Sequence, residues 1–179
     1  MELTGKKIAM LVDNLYQEME VWYPYYRFEE AGAKVVVIAE KARERYHSKT
    51  GYPIDSQLSY AEANAADFDG VVCPGGFAPD YIRRHQKALE FVREIDREGK
   101  LVCAICHGPW IPISAGIVKG RRATCFFAIK DDLVNAGARY EDAEVVVDGN
   151  LVTSRKPGDL PAFMRSCIEV VAKTPALAR

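Results

Sequence analysis

Four short apolar runs, KIAMLV (7–12), KVVVIA (34–39), GVVC (70–73) and KLVCAI (100–105), constrain this chain more than any other feature. None alternates polar with apolar residues, so none can lie with one face in water. Runs of this kind are strands covered on both faces, the habit of a parallel sheet held between layers of helix. The segments between them have helical spacing. Residues 17–31 (QEMEVWYPYYRFEEA) lead to Gly32, a natural position just past a helix end, with Pro24 expected to kink or divide the helix. One long amphipathic helix is expected over 79–98, with Ile82, Ala88, Leu89, Val92 and Ile95 turned inward and Gly99 closing it.

The second half continues the alternation. GPWIPISAG (108–116) reads as a short helix, RATCFF (122–127) as a strand and IKDDLVNAG (129–137) as a helix stopped by Gly137. EVVVDGNLVTS (144–154) reads as a hairpin across Asp148-Gly149-Asn150. Asp159 is expected to cap a final helix whose buried stripe is Leu160, Phe163, Cys167 and Val170. The polar stretch 40–66 is expected to be an exposed excursion with a short hairpin near Gly51. With no repeat and no linker, the chain reads as one domain over 1–179. Its expected fold is a three-layer α/β sandwich around a mostly parallel sheet, flavodoxin-like.

Charge limits the partners. Lys plus Arg number 24 against 25 acids, which gives no basic field for nucleic acid as the main partner. The N-terminal apolar run from Ile8 to Val12 is too short for a signal segment or a membrane span. A cytoplasmic protein with no membrane partner is expected. The five cysteines sit in apolar strings (VVCPGG, LVCAIC, ATCFF, SCIEV), which suits free buried thiols rather than a disulfide framework.

VCAICHGPW (102–110) carries four competing chemistries. Cys103, Cys106 and His107 spell the haem-attachment pattern C-x-x-C-H, but that pattern belongs in an exported chain and an exposed loop. A structural zinc needs further ligands, and His47 and His85 show no ligand spacing. A redox pair would need both sulfurs within reach. If 100–105 is extended, three steps of about 3.3 Å put the two cysteines roughly 10 Å apart on opposite faces, beyond the ~7 Å a disulfide tolerates. The pair survives only if the strand ends early. In the remaining reading Cys103 is core and Cys106 is a nucleophile at a strand-to-helix corner, the nucleophile elbow. Free N–H groups there favour a thiolate and can hold an oxyanion, and Gly108 lets the backbone turn sharply.

AICHGPW, the PGG about thirty residues upstream, IKDDLVNAG, DAEVVVDGNLVTSR and the YP dipeptide of the first helix together resemble the PfpI family. That family groups intracellular cysteine peptidases with protein deglycases in the class I glutamine-amidotransferase-like fold. The resemblance implies Cys106 as nucleophile and His107 as its base partner. It implies Glu20 as the carboxyl contacting the sulfur, with Gly75 and Gly76 of PGG, together with the His107 amide, at the oxyanion. A carboxyl beside a thiolate has to be protonated, and as a donor it favours the thiolate. In the peptidase branch an acid from a neighbouring subunit completes the triad as Glu after P-G-G-x-A-P; here PGGFAPD places Asp80 there. Phe126 stands where related chains carry a tyrosine or a nearby histidine.

The expected activity is therefore cofactor-independent and metal-free hydrolysis by a cysteine nucleophile. The implied substrate is methylglyoxal or its glycated adducts, as for a glyoxalase III or deglycase in stress protection. An intracellular cysteine peptidase acting on protein or peptide is the alternative, followed by a non-enzymatic redox-sensing stress protein or holdase. A homo-oligomer, a dimer or a ring of dimers, is expected from the Asp80 geometry. The aromatic residues Trp22, Tyr23, Tyr25 and Tyr26 on the first helix could supply its contact.

Overall fold

In the computed structural model, which describes residues 2–174, the chain opens with β1 (Lys7–Leu11), α1 (Glu18–Glu30) and β2 (Lys34–Ala39). Three short strands follow, β3 (Arg45–His47), β4 (Pro53–Asp55) and β5 (Leu58–Ser59). Then come β6 (Gly70–Cys73), α2 (Ala78–Ile82), α3 (Gln86–Arg97), β7 (Leu101–Ile105) and α4 (Trp110–Ala115). The last third holds β8 (Arg122–Ala123), α5 (Lys130–Asn135), β9 (Arg139–Tyr140), β10 (Val145–Asp148), β11 (Leu151–Ser154) and α6 (Leu160–Lys173).

Seven strands form one sheet in the order β10-β11-β7-β6-β1-β2-β5, parallel in every pairing except β10 with β11. The apolar runs become its centre because their residues are buried on both faces, β6, β7 and β11 along their whole length. Helices α1 and α6 pack together, as do α3 and α4, and these pairs supply the outer layers. Cys73 pairs in register with Ala104, so the β6 and β7 strands end nearly level and their following loops leave the sheet side by side. That is where an open α/β sheet collects its chemistry. No helix among the described residues is long and apolar enough to cross a membrane.

Several local expectations change. The segment 79–98 is two helices, not one, because His85 stands in extended backbone (φ −95°, ψ 109°) and starts α3 anew. The inward set Ile82, Ala88, Leu89, Val92 and Ile95 is nonetheless buried. The strand expected over RATCFF ends at Ala123, since the Thr124 amide donates to Thr153 Oγ1 (2.8 Å) and the Phe126 amide to Cys106 O (2.9 Å). Helix α1 is not divided at Pro24. Asp159 sits at the N-cap of α6 without capping it, because its carboxylate takes Arg155 instead (2.9 and 3.3 Å). Val170 is only partly buried, and Met164, Ile168 and Val171 complete the inward face of α6. The excursion does contain the hairpin, β3 paired antiparallel with β4, and β5 returns to the edge of the sheet.

Candidate active site

Cys106 is the first residue past β7 and has φ +61°, a left-handed conformation that is costly for a residue with a side chain. Its neighbours hold it there. The Cys106 amide donates to Ser154 O at the end of β11 (3.1 Å), and its carbonyl accepts from the Phe126 amide (2.9 Å). Gly108 completes the corner: a Cβ there would lie 2.0 Å from Cys73 O, so only glycine lets the turn close against β6. The helix that follows, α4, begins only at Trp110 and has 6 residues. The turn amides, rather than a helix N-terminus at the cysteine, therefore act on the sulfur. Cys103 is core, fully buried, with Sγ donating to Val71 O (3.4 Å).

The surroundings of the thiol come from three elements. Backbone amides of His107 and Gly76 hydrogen-bond the Cys106 sulfur, which puts two donors where an oxyanion would form. The imidazole of His107 lies with Nδ1 3.3 Å from Sγ. Glu20 reaches in from the first turn of α1, fully buried, and its side chain meets the Cys106 thiol. Its Oε2 accepts from the Gly75 amide at 2.8 Å, while buried Oε1 has no partner of ordinary hydrogen-bond geometry. Gly75 thus serves differently from its neighbour. Its N–H holds the carboxyl and is not free for an oxyanion. A Cβ on Gly75 would stand 2.5 Å from Glu20 Oε2 and 2.8 Å from Cys106 Cβ.

The charge arrangement differs from a simple low-pKa thiol. Burial pushes Cys106 up to about 12, and the Glu20 carboxylate pushes the same way against the pull of the two amides. Burial also pushes Glu20 up, to about 7, although the Gly75 amide and the thiol oppose it. The two groups are a pair that gives up its first proton near neutrality and keeps the second far into alkali. The thiolate arises when the remaining proton sits on Glu20: the opposing charge is then gone, and the carboxyl can donate from Oε1 to the sulfur. Burial holds His107 below its ordinary value, and the charge of Lys49 adds to this. The imidazole is therefore neutral at pH 7 and able to accept a proton.

Phe126 stacks on His107 (centroids 5.1 Å apart, 30° between planes), and Trp110 meets the same ring edge-on at 5.2 Å. Trp110 is itself fixed by its indole N–H donating to Asp132 Oδ2 at 2.8 Å. Phe126 thus acts as a wall that sets the imidazole plane and has no proton of its own to offer. Asp80, on α2, is not brought to His107 within the chain; its carboxylate pairs with Arg84 one turn on. Among the described residues no group of three or more His, Cys, Asp or Glu side chains could hold a metal ion.

Sequence reasoning missed Lys49. The residue lies in the loop between β3 and β4, and its amide donates to Tyr16 O (2.9 Å). Tyr16 bridges Ser48 on one side and Gly76 on the other, which ties the loop to the edge of the site. Glu18 clamps the same loop by accepting from Ser48 Oγ and the Thr50 amide, each at 2.8 Å, and from the Thr50 hydroxyl. Although its partial burial opposes ionisation, these hydrogen bonds hold the Glu18 carboxyl down at about 2.

The match to the DJ-1/PfpI family model runs over residues 6–170. The chain is 46% identical over 165 residues to the deglycase PfpI of Pyrococcus furiosus, covering 92% of this chain and 99% of that one. It is 40% identical over 169 residues to protein/nucleic acid deglycase 2 of Escherichia coli, covering 93% and 98%. Among solved structures, a two-domain protein from Anabaena variabilis containing dj-1/thij/pfpi-like and ferritin-like domains superposes with a TM-score of 0.91 at 41% identity. That likeness covers 97% of this chain and 50% of the other. With a cysteine at a strained corner of the same fold, and a match that spans nearly every element, this chain belongs to the DJ-1/PfpI family.

Proposed function

We propose that the protein is a cysteine hydrolase of the deglycase type, acting on methylglyoxal or its adducts without metal or organic cofactor. The observation that carries the reading is the strained Cys106 corner, with a protonatable carboxyl on one side of the sulfur and a neutral imidazole on the other. The names of the Pyrococcus and Escherichia relatives support it.

In this mechanism the Cys106 thiolate adds to the aldehyde carbon. A C–S bond forms, and the carbonyl pair becomes an oxyanion held by the amides of Gly76 and His107. Protonation gives a hemithioacetal. His107 then moves the proton of that carbon to the neighbouring carbonyl carbon, which leaves a thioester. Water cleaves the thioester to a hydroxy acid and returns the thiol. The protein works in the cytoplasm as a homo-oligomer, in which the partner subunit's Asp80 orients His107. That placement is favoured because no carboxylate of the same chain hydrogen-bonds the ring among the described residues, and Asp80 lies in the first turn of α2, just after the loop that leaves β6 beside Cys106.

The deciding experiment follows methylglyoxal consumption and lactate formation side by side in wild type and Cys106→Ala. Lactate from wild type and none from the variant is expected. Equal rates would reject the nucleophile. Casein cleavage without lactate would transfer the same site to peptidase chemistry.

A further inference from the structure

Lys49 carries a charge felt at the site and takes no part in the mechanism. The other basic residues of its excursion that pair do so locally, Lys41 with Glu44 and Arg45 with Asp55. Lys49 makes no ion pair among the described residues, and Glu18, the acid that anchors its loop, is already filled by Ser48 and Thr50. An unpaired lysine on open surface is ordinary. Lys49 is exposed too, but its place is set by the site. Its backbone is fixed to Tyr16, whose other bridge is to Gly76, the residue whose amide faces the sulfur. Its ammonium lies over the Phe77 ring at 5.9 Å, and Phe77, 60% exposed, directly follows Gly76. The charge is also felt by both Glu20 and His107, which flank Cys106.

We infer that Lys49 is a specificity-determining residue that draws a carboxylate to the mouth of the site, with Phe77 as the apolar ledge beside it. The substrates favoured are dicarbonyl adducts that carry an acidic group next to the reactive carbon, over neutral ones. This deepens the proposed function and rests on Cys106 acting as the nucleophile there. The recognition is electrostatic rather than bidentate, because a lysine offers a point charge on a flexible stem.

The test separates the charge from the chemistry by using two probes that differ only in charge. Iodoacetate and iodoacetamide alkylate Cys106 in the same way: the sulfur forms a bond to the methylene carbon, and iodide leaves. Any effect of Lys49 on thiolate formation cancels in the ratio of the two rates, whereas its attraction for the carboxylate does not. At a separation on the order of 7 Å in a solvent-open mouth, a unit charge changes the rate of an anion about three- to fivefold. We expect the iodoacetate/iodoacetamide ratio to fall by that factor in Lys49→Met, to hold in Lys49→Arg and to fall further in Lys49→Glu. Raising the ionic strength to about 0.5 M should erase the differences. An equal ratio in wild type and Lys49→Met would overturn the role of Lys49.

A second arm compares kcat/KM for the methylglyoxal adducts of N-acetylcysteine and of N-acetylcysteine amide, which again differ by one carboxylate. The wild-type preference for the acidic adduct should shrink by a similar factor in Lys49→Met, chiefly through KM. A preference that Lys49→Met leaves intact would overturn the role of Lys49. Turnover of neither adduct would overturn the substrate class and the proposed hydrolase chemistry, with the alkylation ratio still deciding whether Lys49 attracts anions.

Discussion

Replacing Glu20 with glutamine is expected to stabilise the protein, and to do so mainly in alkaline buffer. The carboxyl is fully buried and is pushed from an ordinary value of 4.5 up to about 7. In the unfolded chain it ionises near the ordinary value. A raised carboxyl binds its proton more tightly in the folded state, so its contribution is present in full at acid pH. That contribution declines as pH climbs above 4.5 and has been lost once pH passes 7. The interval corresponds to about 3 kcal/mol, of which less than about 1 has gone at pH 5 and nearly all at pH 8. Glutamine keeps the shape, accepts from the Gly75 amide and offers an N–H to the sulfur, and it does not ionise. Urea unfolding followed by tryptophan fluorescence at one protein concentration would measure the difference. The gap between Glu20→Gln and wild type should widen in favour of the variant by about 2 to 3 kcal/mol from pH 5 to pH 8. A gap that does not change with pH, or a wild type that is the more stable at pH 8, would refute the buried-pair reasoning.

Two further outcomes follow from the same site. Iodoacetamide should label Cys106 with an inflection near pH 7, the first proton of the Glu20–Cys106 pair, while the buried Cys73, Cys103, Cys125 and Cys167 stay slow. Peptide mass spectrometry should show that inflection rising by at least about one pH unit in Glu20→Gln, where the thiol titrates without a carboxyl to hold the proton; an unmoved inflection returns Glu20 to a packing role. Asp80→Ala should lower turnover several-fold with the oligomer intact by light scattering. Because its pair with Arg84 is exposed, stability should change by no more than about 1 kcal/mol. A fully active monomer would sink the cross-subunit role.

The central strands β1, β2, β6 and β7 were legible because burial on both faces leaves them apolar past a leading lysine in β1 and β2, which is the habit of a parallel sheet. The corner was legible because Cys106 is followed by His and Gly where the other cysteines sit in apolar strings. What failed to show was anything decided by partners distant in sequence. Asp159 has the residue type of a cap, but Arg155 competes for it one turn away. Gly75 and Gly76 are indistinguishable as letters, and only the approach of Glu20 gives one of them its task. Lys49 sits in a charged stretch whose composition says only that it is solvated. The bridges of Tyr16 to Ser48 and Gly76 tie its loop to the edge of the site, and no local pattern encodes them.

The Glu18 clamp also separates what can change from what cannot. Nucleophile, carboxyl and oxyanion donors sit where backbones touch, and Gly75 and Gly108 tolerate no added atom. The β3–β4 hairpin, by contrast, touches the site through one loop that is pinned by a carboxylate two residues before Glu20. Charge changes at exposed positions such as Arg45, Lys49 and Asp55 would leave the Ser48 and Thr50 pin and the sheet intact while re-dressing the mouth. The hairpin is thus an exchangeable part, and divergence of substrate preference in descendants of this gene has an open route there at little cost to the chemistry.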